Sequence, residues 1–88
     1  MDLPFLPREL APIADAHVHF YGEAEAEDLL EAEARFGVRR VFASCLGPPP
    51  LNYNPTMEDC RRFNRITARV RARHAESVVG CAYVNPCW

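Results

Sequence analysis

Apolar and polar positions along this chain change period four times, and the changes mark five elements. Ile13 to Val18 is a short apolar run that reads as a strand, closing in the pattern His-x-His at His17 and His19. From about Ala24 to Phe36 the apolar positions fall at helical spacing, with Leu29, Leu30, Ala34 and Phe36 as the expected buried stripe. Gly37 follows as a C-terminal cap. Residues 39–45, RRVFASC, are apolar on both faces in the middle, as in a strand covered within a parallel sheet. Thr56 and Asp59 have the spacing of a capping box for a second helix over 57–74. Its expected inner side is Cys60, Phe63, Thr67, Val70 and His74, and arginines occupy much of the rest. SVVGCAYV, residues 77–84, is the third predicted strand.

Between the second strand and second helix lies LGPPPLNYNP, residues 46–55, where three consecutive prolines exclude helix and sheet. Residues 1–11 form a Pro-rich lead-in without periodicity, and 12–88 carry the alternating elements. Strand, helix, strand, helix, strand predicts an α/β fold with parallel strands joined by right-handed helical crossovers.

Composition narrows the function classes. The 88 residues suffice for one domain with a small core. A net charge of −2 gives no reason to expect nucleic acid or an acidic membrane as partner. No apolar run approaches the ~20 residues of a membrane helix, and the N-terminus lacks the basic-then-apolar layout of a secretory signal. The four cysteines make no C-x-x-C pair, and Cys45 and Cys81, inside apolar runs, are expected as small buried residues. A reducing, cytoplasmic setting is the simplest expectation. The arginines of the second helix are interrupted by Glu58 and Asp59, which favours a solvated outer face over an RNA- or membrane-binding one.

His17 and His19 carry the candidate chemistry. Residues two apart on a strand share a face about 7 Å apart along the backbone, and imidazoles so placed can converge on one metal ion. Asp15 is expected on that face one step earlier, where a carboxylate can orient an imidazole. The plainer alternatives are polar residues bonded to backbone at a strand end and, for Asp15, a turn or capping carboxylate. His74 is expected to interact with the dipole at the end of the second helix.

The segment Ile13 to Pro86 resembles the start of the amidohydrolase superfamily, metal-dependent hydrolases built on a (β/α)8 TIM barrel. It is most similar to the amidohydrolase-related branch that includes aminocarboxymuconate semialdehyde decarboxylases. DAHVH at the first strand carries the likeness, supported by GVRRVFAS at the second and VVGCAYVNP at the third. The resemblance implies that His17 and His19 are metal ligands, with zinc the expected divalent ion. It implies a metal-activated water acting on an amide, ester or lactone of a small molecule, or, within the branch, a decarboxylation. The family's further ligands are histidines after strands five and six and an aspartate after strand eight, with a carboxylated lysine or glutamate after strand four in some members. These 88 residues hold none of them. A barrel takes about 250 residues, so the expectation is a partial (β/α)8 barrel that is inactive alone. Tyr21, Asn52, Tyr53 and Asn54, on loops after the strands, are the substrate-binding candidates. A competing reading is a non-catalytic α/β module that assembles with itself, or with a chain supplying further strands, through an exposed sheet edge. A nucleotide-binding βαβ unit is disfavoured by the absence of G-x-G-x-x-G after the first strand.

Overall fold

The computed structural model describes residues 13–87, so the lead-in expected over 1–11 and Trp88 lie outside the described residues. Its elements run β1 (Ile13–Phe20), α1 (Glu23–Arg35), β2 (Val38–Cys45), α2 (Met57–Arg73) and β3 (Val78–Gly80). The three strands form one parallel sheet in the order β1-β2-β3. The α/β class and the parallel β-α-β-α-β order are as the periodicity predicts.

Both helices cover the same sheet face. Val41, Ala43 and Cys45 of β2, with Val18 and Phe20 of β1 and Val78 of β3, meet Ala26 of α1 and Phe63 and Val70 of α2 in one core. Alternation puts Phe42 and Ser44 of β2 on the opposite face, and His19 pairs in register with Ser44.

α2 matches the predicted stripe at Cys60, Phe63, Thr67 and Val70, its buried residues, whereas His74 stands just past the end of the helix and is only half-buried. The capping box is present, with the Asp59 N–H donating to Thr56 Oγ1 and the Thr56 N–H to Asp59 Oδ2, each at 3.0 Å. α1 departs from expectation. Its inward side is Ala26, Leu29, Leu30 and Glu33, while Ala34 and Phe36 are exposed, Phe36 at 46%. Ion pairs with α2 accompany this roll. Glu23 accepts from Arg69 Nη1 at 3.1 Å and Arg73 Nη1 at 2.9 Å, and Glu27 accepts from Arg73 and meets His74 Nε2 at 2.7 Å. Arg69 and Arg73 therefore bridge the helices rather than face solvent alone, and His74 is held by a carboxylate of α1. Gly37 caps α1 with φ +82°, as expected.

The third strand is shorter than predicted. β3 stops at Gly80, and Cys81 is exposed instead of buried. The cause is Asn64 of α2, whose Nδ2 donates to the Tyr83 carbonyl at 2.9 Å while its Oδ1 accepts the Tyr83 N–H at 2.7 Å. A side-chain amide thus takes both main-chain groups a longer ladder would use. Asn85 continues the arrangement by donating to Asn54 Oδ1 and the Pro55 carbonyl. Asn64→Ala is expected to lower stability by about 1–2 kcal/mol, because two part-buried hydrogen bonds are lost at once. Urea denaturation checks this, and a change below 0.5 kcal/mol (about the size of an ordinary surface substitution) would remove the role given to Asn64.

Candidate metal centre

β1 carries a bulge. Asp15 pairs with Val41 and Val18 with Ala43, so three steps in β1 match two in β2. The extra residue reverses the alternation. Asp15 therefore shares the helix-covered face with Val41, while His17 and His19 project from the open face. This corrects the expectation that Asp15 stands beside the two imidazoles. Its Oδ1 instead accepts the His17 backbone N–H at 3.2 Å, so Asp15 holds the bulge and not a ring.

The open face brings the histidines together. Their Nε2 atoms lie 2.7 Å apart, with ring centroids 4.6 Å apart and planes at 86°. Both residues are exposed, and both lie inside β1, which runs two residues further than its predicted end. His19 Nδ1 is 2.9 Å from the Ser44 hydroxyl oxygen, and Ser44 is buried. In the tautomer where His19 Nδ1–H donates to Ser44, the Nε2 lone pair of His19 is free to accept from His17 Nε2–H or to bind a metal.

Two donors on a tetrahedral zinc, at bonds of about 2.0–2.1 Å, stand roughly 3.3 Å apart. The observed pair is closer by about 0.6 Å, a difference that small ring rotations of exposed side chains supply. The residues fit half of a metal centre. Among the described residues, no group of three or more His, Cys, Asp or Glu side chains is arranged to hold a metal ion.

Ser44 was not read from the sequence as part of this site. Its signal is a small polar residue in the apolar run VFASC, but its partner is fixed only by the β1–β2 register. The loop candidates sit as follows. Tyr21 is exposed, and its N–H donates to Glu25 at 2.6 Å. The Asn52 side chain accepts the Asn54 N–H, and its carbonyl accepts the Tyr83 hydroxyl. Tyr53 is 90% exposed. None of the described hydrogen bonds joins these residues to the histidines. Burial raises the thiol pKa of Cys45 and Cys60, which disfavours the thiolate that a nucleophile or metal ligand needs.

Asp15 has a second partner, Glu33. Burial on the inner stripe of α1 and the hydrogen bond to Asp15 push the Glu33 carboxyl up to about 7. The same bond, then the His17 N–H, holds Asp15 below its ordinary value. Because the folded pKa of Glu33 exceeds its ordinary 4.5, the stability it contributes is complete below about 4.5 and is lost as pH rises through about 7. The Asp15 contribution has the opposite sign and is lost only in stronger acid. Glu33→Gln keeps a donor to Asp15 and cannot ionise. The urea midpoint of the unaltered chain is expected to fall between about pH 5 and 8, and that of the variant to stay level; parallel profiles would exclude a shared proton.

A groove of about 780 Å3, lined by Glu27, Glu31, Glu33, Val38, His74 and Ser77 among others, lies at the opposite end of the strands. It shares no residue with the histidine pair. No protein-family model, curated protein or solved structure compared with this chain matches it.

Proposed function

We propose that this chain is the N-terminal part of an amidohydrolase-type, metal-dependent hydrolase, a partial (β/α)8 barrel in which His17 and His19 are two donors of the metal centre. The observation supporting this reading most directly is the convergence of the two Nε2 atoms on the open face of the sheet, with Ser44 holding the remote nitrogen of His19. That face corresponds to a barrel interior, since both helices pack on the other side.

A zinc-class ion, when bound, lowers the pKa of a coordinated water to about 7 and polarises a carbonyl oxygen. His17 and His19 supply neutral imidazole donors. Ser44 fixes the tautomer and rotation of His19, and Asp15 fixes the bulge from which His17 projects. His17 would bind through Nε2 in the tautomer that carries its proton on Nδ1, and protons compete with the metal for that nitrogen, so binding weakens as pH falls. Tyr21 and the exposed Tyr53, on loops after the strands, are the candidates to contact a small substrate containing an amide, ester or lactone.

Titration calorimetry with zinc(II) tests the donor assignment. Ser44→Ala is expected to weaken binding by about tenfold, and His17→Ala with His19→Ala to abolish it. Binding that survives the double substitution would remove both histidines from the site. The hydrolase reading is tested separately, in coding DNA beyond the Trp88 codon. Further strand–helix units with strand-end histidines and a late aspartate support it; a frame without them excludes it. The 88 residues alone are expected to show no metal-dependent hydrolysis above background.

A further inference from the structure

The loops at the histidine end of the sheet carry a pattern of their own. The Leu46 N–H donates to the Phe20 carbonyl at 3.3 Å, which sets the start of the β2–α2 loop beside the end of β1. Residues 46–56 of that loop and residues 81–87 after β3 contain no charged side chain. The helices that follow the strands open with carboxylates, Glu23 and Glu25 on α1 and Glu58 and Asp59 on α2. These acids occupy the helix N-termini that would otherwise attract an anion. Arg62 is paired with Asp59 at 3.1 Å, and Arg40 of β2 stands opposite Ala14 towards the far end of the sheet.

The β2–α2 loop is also held in place. Asn52 Oδ1 accepts the Asn54 N–H at 2.9 Å, and the Asn52 carbonyl accepts the Tyr83 hydroxyl at 2.8 Å. Asn85 is buried, and its Nδ2 donates to Asn54 Oδ1 at 2.8 Å and to the Pro55 carbonyl at 2.9 Å. Tyr53 thus projects, almost fully exposed, from a stretch fixed on both sides, and Leu51 and Val84 are exposed on the same two segments. A rigid exposed aromatic supplies contact area at little cost in conformational entropy.

We propose that the β2–α2 loop and the segment after β3 form an uncharged wall at the histidine end of the sheet, which selects a neutral ester, amide or lactone with an aromatic or apolar body. Tyr53 is the contact residue and Tyr83 the positioning residue behind it. A substrate bearing a carboxylate or phosphate meets no base on this wall and carboxylates at both helix starts, so it is excluded by repulsion and by lack of a partner. A substrate for decarboxylation, which must present a carboxylate, is disfavoured on the same ground. The inference rests on the hydrolase reading of the histidine pair and adds to it the chemical class of the substrate.

The test is two-dimensional amide NMR of the full chain, titrated in parallel with methyl benzoate and with benzoate at equal ionic strength. Saturable shifts at the Asn52, Tyr53, Asn54 and Tyr83 amides are expected with the ester, and binding at least about tenfold weaker with the anion. Tyr53→Ala is expected to weaken ester binding by about tenfold or more, while Tyr53→Phe retains it. Tyr83→Phe keeps the ring and removes the bond to Asn52, so it weakens ester binding as well. That loss vanishes in the Tyr53→Ala background, because Tyr83 acts through the loop; a loss unchanged there removes its positioning role. Benzoate bound as tightly as the ester, shifts indifferent to Tyr53→Ala, or no saturable binding of either probe overturns the uncharged wall and leaves the histidine assignment standing. A zinc(II) titration without binding overturns the reading of the histidine pair, and the substrate class with it, whatever the probes do.

Discussion

Gly47→Ala is expected to destabilise the chain by about 3 kcal/mol, from two separate sources. The first is backbone conformation. Gly47 has φ +81°, a region where a side chain costs roughly 1–2 kcal/mol. The second is space. A Cβ at this position would lie 2.6 Å from Cε1 and 2.8 Å from Cε2 of Phe63, well inside contact distance. Phe63 cannot simply swing away, because it is buried on α2 and its ring stacks with Tyr83 at a centroid separation of 6.5 Å. Forcing extra volume into such a place costs about 1–3 kcal/mol. Urea denaturation measures the sum, and a double-mutant cycle separates its parts. Phe63→Leu removes ring atoms, so the combined variant should lose at least about 1 kcal/mol less than the two single losses added together. Strict additivity would leave only the backbone contribution and refute the steric one.

Gly47 also shows why some of this fold is legible in the sequence and some is not. The stripe Cys60, Phe63, Thr67, Val70 and the Thr56–Asp59 box follow from spacing within one helix, and each appears where the spacing puts it. Leu29 and Leu30 were legible on the same grounds. Ala34 and Phe36 were not, because the roll of α1 is defined against other elements: the core that takes Ala26, Leu29 and Leu30, and Arg69 and Arg73, which reach Glu23 from 46 and 50 positions away. A stripe counted from Ala26 at helical steps ends on Glu33, which explains an acid on the inward side. The parity of Asp15 was beyond reach for a similar reason, since a bulge is defined only against the partner strand. The overlong third strand has the same origin. SVVGCAYV has the apolar content of a strand, and what ends it is an amide on another element. The two histidines were readable because alternation two residues apart is local. Ser44 beside them depends on register and needed the sheet.

Thr67→Val carries the second large effect, and it links the helix layer to the candidate metal centre. Thr67 lies on the buried side of α2, where its Oγ1 accepts the Cys45 backbone N–H at 2.9 Å and its hydroxyl donates to the Phe63 carbonyl at 3.3 Å. Cys45 is the last residue of β2, so a helix hydroxyl satisfies the terminal N–H of the central strand. Valine preserves the shape and removes the acceptor. Nothing polar replaces it there, since Cys45 is fully buried, and a buried N–H without a partner costs about 1–3 kcal/mol. Serine keeps the hydroxyl but loses the methyl that faces Gly80, where a Cβ would come within 3.2 Å of Thr67 Cγ2. One lost methyl costs about 1 kcal/mol. The expected order of stability is therefore Thr67, then Ser, then Val, with valine lowest by about 2 kcal/mol. A valine variant as stable as the unaltered chain would show that the Cys45 N–H does not depend on this bond. Amide hydrogen exchange locates the effect, because protection at Cys45 should fall in the valine variant and persist in the serine one. Ser44 directly precedes Cys45 and lies 2.9 Å from His19 Nδ1, so loosening this strand end should also weaken the zinc binding proposed for the histidine pair. That coupling is absent if the hydroxyl acts only within α2.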